Sequence, residues 1–251
     1  MDIGGRSIRW LLAAALIGGA AVLESVAVAL VWRPCAGQML NGSILVGGAH
    51  PTEFTDACLA AMDGAHVFPL LAAGEDFTWA AASGTASAAL LASAWLLLLP
   101  AFAVRGWTWL MTALPGLSTL GGVAAVAVWS LEGSRGGWST GTWLLLLANL
   151  SVPVALLALR RAGLGGTVLV RAAVVAVAAA APGVLSRIAE FYLSVMLSDA
   201  NWDTPPGTGW LTAAFCCAAA VGTAVGWWRS RARGPAGSYA GGQPEREPAP
   251  S

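Results

Sequence analysis

Six long apolar runs, separated by short polar segments, dominate the pattern of hydrophobic and polar positions along the 251-residue chain. A helix needs about 20 apolar residues to cross the hydrocarbon core of a bilayer, and only the fourth run falls slightly short. The runs are Trp10–Trp32, Ser83–Val104, Trp107–Leu131, Thr142–Leu159, Gly165–Val184 and Gly209–Trp228. The pattern therefore predicts an all-α integral membrane protein with about six transmembrane helices.

The composition supports this fold class. The chain is 57% hydrophobic and 10% charged, whereas soluble domains carry about 25% charged residues. The net charge is zero, so no basic surface indicates nucleic acid, and the expected partner is the lipid bilayer. All 13 basic residues are arginines, which together with the many Ala, Gly and Pro residues is typical of a GC-rich bacterial genome.

The arginines predict the orientation, because cytoplasmic loops carry the excess of basic residues. Placing both termini in the cytoplasm puts eight arginines on the inner side and three on the outer side. The inner ones are Arg6, Arg9, Arg105, Arg160, Arg161, Arg229, Arg231 and Arg233, and the outer ones are Arg33, Arg135 and Arg187. We therefore expect a multi-pass protein of the cell membrane with cytoplasmic N- and C-termini.

This topology divides the chain into five parts. They are a cytoplasmic N-terminus (1–9), a first transmembrane helix (10–32), an extracytoplasmic loop (33–82), a five-helix bundle (83–228) and a cytoplasmic tail (229–251). The tail is rich in Pro and Gly and has no apolar periodicity, so we predict that it is disordered.

The fifth run has two interpretations. Residues 165–197 are mostly apolar, which is too long for one simple span, and Pro182-Gly183 predicts a kink. We favour a span up to about Val184, followed by an amphipathic interfacial helix at about 185–197 on the outer surface. Arg187 and Glu190 form an i,i+3 pair there. Alternatively, the span begins after Arg171 and carries this pair closer to the lipid.

Cys35 and Cys58 lie in the predicted outer loop, which faces an oxidising compartment. An even pair of cysteines there predicts a structural disulfide. Closing a loop of this size contributes about 3 kcal/mol in the chain-entropy model. Cys216 and Cys217, in the sixth span, are interpreted as small packing residues.

The only two histidines, His50 and His66, lie in the same loop. With Glu53 they offer a possible metal-ligand set. The acidic residues around them suit a solvated face better, so we predict no metal site and leave the role of both histidines open.

Glu24 lies inside the first apolar run. A charged carboxylate near the bilayer centre is unfavourable by roughly 2.5 kcal/mol or more, so this group needs a partner or a proton. Arg187 is the candidate partner. We therefore name Glu24, Asn149, Arg187 and Glu190 as a candidate intramembrane polar site.

A different interpretation removes the burial of Glu24. Arg6 and Arg9 resemble the basic start of a signal peptide, and Ala27-Val28-Ala29 resembles a cleavage site, so residues 1–29 are alternatively a cleaved signal. The apolar run continues through Trp32, which is long for a signal peptide and suits a span.

No catalytic or cofactor motif accompanies these spans. None of them contains a histidine, so we predict no enzyme and no cofactor. The expected function is that of a non-enzymatic accessory or scaffold subunit of a membrane or cell-envelope assembly, acting through a membrane-protein partner.

The alternative is a small-molecule transporter permease. Six spans, a large loop after the first and an outer helix before the sixth resemble ABC-2 type permeases in topology only. The chain departs from that pattern between spans two and three, where the link is essentially "VRG" and offers no helix to engage an ATPase.

Overall fold

The computed structural model folds the chain into a bundle of α-helices. It describes residues 3–36, 54–64, 79–131, 137–197 and 204–232, which contain no strand. The predicted all-α membrane fold is thereby confirmed. The predictions for His50, His66 and Glu53, and for the tail from residue 233 onward, lie outside the described residues.

Eight α-helices follow one another along the described part of the chain. They are α1 (Ile3–Val31), α2 (Asp56–Gly64), α3 (Trp79–Leu98), α4 (Trp107–Leu131), α5 (Gly137–Arg161), α6 (Gly166–Ala179), α7 (Val184–Leu197) and α8 (Trp210–Ala232). Helices α1, α3, α4, α5 and α8 are each long and apolar enough to cross a membrane. Helices α6 and α7 pass the same test only as a pair, bent by 84° at a short break.

Helices α1, α3, α5 and α8 extend beyond the apolar runs that predicted them. Helix α1 begins at Ile3 rather than at Trp10, and α8 continues past Trp228 to Ala232. Arg229 and Arg231, which we placed at the start of the disordered tail, therefore belong to the last turns of α8. A helix can continue past the membrane surface because its backbone hydrogen bonds lie within the helix. Hydropathy depends on the side chains and therefore does not predict this extension.

The two ends of the bundle differ in chemistry. One end, here called the disulfide end, carries Trp32 and the Cys35–Cys58 bridge. The opposite end, here called the arginine end, carries arginines of α1, α5 and α8 and of the link between α3 and α4. These are Arg9, Arg105, Arg160, Arg161, Arg229 and Arg231.

The core lies where α1 packs between α3 and α8. Its residues are mostly alanines, which let the helices approach closely. The Ser87 hydroxyl on α3 donates a hydrogen bond of 2.9 Å to the Ala20 carbonyl on α1. Trp95 is fully buried, and its indole N–H donates to the Thr112 carbonyl of α4 at 2.8 Å. This tryptophan is thus a core residue, which explains its place in mid-span, away from the headgroup level.

Helices α4 and α5 make the most extensive helix contact among the described residues, through glycines that face each other. A Cβ added at Gly122 would lie 2.7 Å from Leu145 and 3.1 Å from the Gly141 carbonyl oxygen. A Cβ at Gly141 would in turn overlap Val126. The two backbones can pack this tightly only because neither glycine has a side chain.

Gly122→Ala should therefore lower the thermal unfolding midpoint of the detergent-solubilised protein. Overpacking of this kind is destabilising by about 1–3 kcal/mol. Gly222 in α8 is the matched control, because a Cβ there meets nothing within 4 Å. Gly222→Ala should leave the midpoint unchanged or raise it, since alanine favours a helix by about 1 kcal/mol over glycine. Equal effects of the two substitutions would contradict this account of the contact.

Candidate functional site

Helix α6 stops near the middle of the bundle instead of crossing it. The Thr119 hydroxyl on α4 donates to the carbonyl of Ala179, the last residue of α6, at 2.8 Å. Thr119 itself lies about midway along the apolar stretch Trp107–Val128 of α4. Helix α6 has 14 residues and is about 21 Å long, which is too short for a bilayer core of about 30 Å. The break therefore lies deep within the membrane-spanning part of the fold.

Asn149 of α5 binds both sides of this break. Its amide nitrogen donates to the Ala180 carbonyl and to the Ser186 hydroxyl, each at 2.8 Å. Its amide oxygen accepts the backbone N–H of Leu185 at 2.9 Å. Backbone groups at a helix break in lipid must find partners within the protein, and Asn149 provides both a donor and an acceptor.

Asn149→Leu should lower the free energy of unfolding in detergent by about 1–3 kcal/mol. The leucine has a similar size but leaves the Leu185 N–H without its acceptor, and an unpaired group of this kind is unfavourable by about that amount when buried. The Ala180 carbonyl loses one donor but keeps the Gly183 N–H and the Ser186 hydroxyl. Ser151→Ala is the control on the same helix, because that hydroxyl bonds only the Ala148 carbonyl of its own helix. Equilibrium unfolding monitored by circular dichroism compares the two, and equal stabilities would show that Asn149 does not support the break.

Helix α7 is amphipathic, as predicted, but its polar face points into the bundle. Arg187 and Glu190 are 2% and 4% exposed. The opposite face carries large apolar side chains that are at least two-fifths exposed, namely Leu185, Ile188, Tyr192, Leu193 and Met196. An ordinary interfacial helix turns its charges to water. In α7 the apolar face is outward, so this helix is suited to an apolar environment.

Arg187 lies between two carboxylates. Its Nη2 donates to Glu24 Oε1 of α1 at 2.5 Å, and its Nη1 donates to Glu190 Oε2 at 3.2 Å. All three side chains are buried. These residues, here called the charge cluster, connect α1 to α7 in the part of the fold that the membrane would surround.

Glu190 also connects α7 to the beginning of α8. Its Oε1 accepts the backbone N–H groups of Gly209 and Thr212, at 2.9 and 3.0 Å. Its Oε2 accepts the Thr212 hydroxyl at 2.5 Å. The N-terminus of a helix presents unpaired N–H groups and a partial positive charge of roughly half a unit. Glu190 therefore caps α8 from a different helix.

The backbone before α8 is shaped for this contact. Gly209 has a φ of +110°, and a Cβ there would lie 2.5 Å from Val28 of α1. A side chain at this position would be strained and would collide with α1. The Trp32 indole N–H donates to the neighbouring Thr208 carbonyl at 2.8 Å, so α1 positions the segment that leads into α8.

The disulfide joins α2 to the end of α1. Cys35 and Cys58 are bonded, as predicted, and both are fully buried. They pack with Val28, Trp32 and Met62 in a small core of their own. The same tryptophan thus contacts the disulfide core and the segment before α8.

Of the four residues in the candidate polar site, the structure brings three together. Glu24, Arg187 and Glu190 form the charge cluster, and Asn149 lies at the break, where it contacts the first turn of α7. Gly209 and Thr212, which donate hydrogen bonds to Glu190, were not predicted from the sequence. The two glycines that precede the sixth apolar run indicate a turn, but no local signal shows which carboxylate the turn faces.

Within the described residues, no group of three or more His, Cys, Asp and Glu side chains is arranged to hold a metal ion. The chemistry of the site is thus that of a buried guanidinium shared by two carboxyl groups and closed by a helix N-terminus. No protein-family model matches this chain, and no curated protein or solved structure compared with it is significantly similar.

Proposed function

We propose that this chain is a non-enzymatic subunit of a membrane or cell-envelope assembly, in which it acts as a scaffold. The observation that carries the proposal is the charge cluster. Its charged groups bind one another and the backbone at the start of α8, so that they join α1 to α7 and α8, which lie far from it in sequence. A buried polar network of this kind favours one arrangement of a core over its alternatives.

Helix α2 is the part of the scaffold best suited to contact a partner. The disulfide core holds it against Trp32, while Leu59 on its other face is 41% exposed. A helix that is already fixed loses little conformational entropy when another protein binds it. We therefore expect the partner to be a membrane or envelope protein that approaches the disulfide end.

A photo-crosslinking residue at Leu59 tests this proposal in native membranes. We expect it to capture one protein in an amount comparable to the bait, and we expect the same protein to copurify in mild detergent. Val22 on α1 is the control position, because it is 63% exposed on an apolar helix and should meet only lipid. Failure to capture any protein from Leu59, with a chain that purifies alone, would contradict a scaffold role.

The orientation proposed for this subunit places both termini in the cytoplasm of a bacterial cell. Two independent features support it: the described arginines concentrate at one end of the bundle, and the disulfide lies at the other. Cytoplasmic loops are rich in arginine, and disulfides form in oxidising compartments. Alkaline phosphatase fused after Ala232 should be inactive. An active fusion at this position would show that the orientation is the opposite of the proposed one.

A transporter is the second candidate, and the interrupted α6–α7 pair favours it. Broken helices near the middle of the membrane, close to ionisable side chains, line the substrate sites of many transporters. The charge cluster lies one to two turns beyond the break. If the chain transports ions or small molecules through this region, Glu24→Gln should change the flux of reconstituted vesicles. A flux that is independent of this substitution removes the residue-level support for transport.

A further inference from the structure

We propose that Glu24 is a proton-binding site within the membrane, while Glu190 of the same cluster stays ionised. This inference concerns the charge cluster itself and does not depend on either proposed function. In the charge cluster, two carboxylates and one guanidinium would leave one negative charge in excess. Because an isolated buried charge is strongly unfavourable, a buried group in this position takes up a proton instead.

The hydrogen bonds identify which carboxyl group binds the proton. Glu190 accepts two backbone N–H groups, the Thr212 hydroxyl and one N–H of Arg187. Donors of this kind stabilise the ionised form, and the positive end of α8 adds to the effect. Within the described residues, Glu24 accepts a hydrogen bond from Arg187 only. Protonation of Glu24 therefore disturbs one contact, whereas protonation of Glu190 would disturb four.

Arg187 compensates the negative charge of Glu24 only in part, so Glu24 can still bind a proton. The guanidinium gives one N–H to each carboxyl group instead of forming a two-bond pair with either of them. Its Nε–H is buried and has no hydrogen-bond partner among the described residues. A guanidinium divided between two acids in this way stabilises each of them less than a dedicated, bidentate partner does.

The other titratable groups near the cluster do not offer a competing site. Arg187 and Glu190 come from α7, and Glu24 is the acidic residue of α1 in this region. Helix α8 contributes the buried thiol of Cys216, which is neutral in its ordinary protonated form. The excess negative charge therefore resides on the pair of glutamates, and the proton binds to Glu24.

Infrared difference spectroscopy on the full chain in lipid vesicles tests this assignment. A protonated carboxyl group in an apolar site gives a C=O stretching band that is absent from an ionised one. The wild type should show such a band near neutral pH, and Glu24→Gln should remove it completely. Asp56→Asn is the matched control, because Asp56 is an exposed carboxyl group on α2 and its loss should leave the band intact.

The proposal is overturned if the band survives in Glu24→Gln, or if the folded wild type shows none. Should Glu24→Gln fail to fold, Glu24→Asp serves as the second variant, since it retains an acid at a shifted position. Its band should then move in frequency, and an unmoved band would assign the proton elsewhere. Circular dichroism confirms that each variant retains its helices before the spectra are compared.

Discussion

Arg187→Gln should lower the free energy of unfolding by about 3–5 kcal/mol, the largest effect that we expect from a single substitution. Removing one partner of a buried ion pair leaves the other charge uncompensated. Here the ionised Glu190 loses its counter-charge and the carboxyl group of Glu24 loses its hydrogen-bond donor, and both are as deeply buried as Arg187 itself. Reversible unfolding in detergent or bicelles measures the change.

Two variants make this measurement specific. Arg33→Gln removes an exposed arginine at the disulfide end and should change stability by less than about 0.5 kcal/mol. The double substitution Glu24→Gln with Arg187→Gln should recover part of the lost stability, because it removes the buried carboxyl group that the single substitution leaves without its donor. If Arg187→Gln is no more destabilising than Arg33→Gln, the cluster does not hold the helices together.

Replacing both Cys35 and Cys58 with serine should make α2 separate from the bundle more easily, by about 3 kcal/mol for a loop of this length. The separation should be local, because among the described residues α2 packs mainly on the small core around Trp32. Amide hydrogen exchange resolved by peptide should show faster exchange over 56–64 and unchanged exchange in α4 and α5.

Cys217→Ser provides the control for this experiment. That cysteine is free and exposed on α8, so its replacement should leave exchange in α2 unaltered. Unchanged exchange over 56–64 in the double serine variant would mean that packing against Trp32 suffices to hold α2, without help from the disulfide.

Hydropathy, together with the oxidising conditions expected around the outer loop, was sufficient to predict much of this fold. Five spans were identifiable because a helix crossing lipid must be apolar along its whole length, whatever its neighbours are. The Cys35–Cys58 pair was identifiable because two cysteines in an outer loop have few alternatives. The contact between Glu24 and Arg187 followed from the scarcity of charge, since an acid within a span requires a partner.

The course of α6 and α7 could not be predicted in the same way. The periodicity of α7 shows that it has a polar face, but the direction of that face depends on what other helices supply. Here Gly209 and Thr212, at the start of α8, provide donors for Glu190. Likewise, α6 can end at Ala179 because Thr119 and Asn149 complete the hydrogen bonds of the break. Both depend on contacts between residues that are remote in sequence.

The charge cluster also has a consequence for biosynthesis. Arg187 follows Glu24 by 163 positions, so at roughly 5–20 residues per second the ribosome needs on the order of ten seconds to supply the missing cation. During that interval the first helix must wait with its acid unpaired, either protonated in lipid or held beside the insertion machinery. The N-terminus of α8 is made later still. Completion of the charge cluster therefore depends on α8, the last helix of the described residues to be synthesised, and a chain truncated before Gly209 would retain α7 without the backbone donors for Glu190.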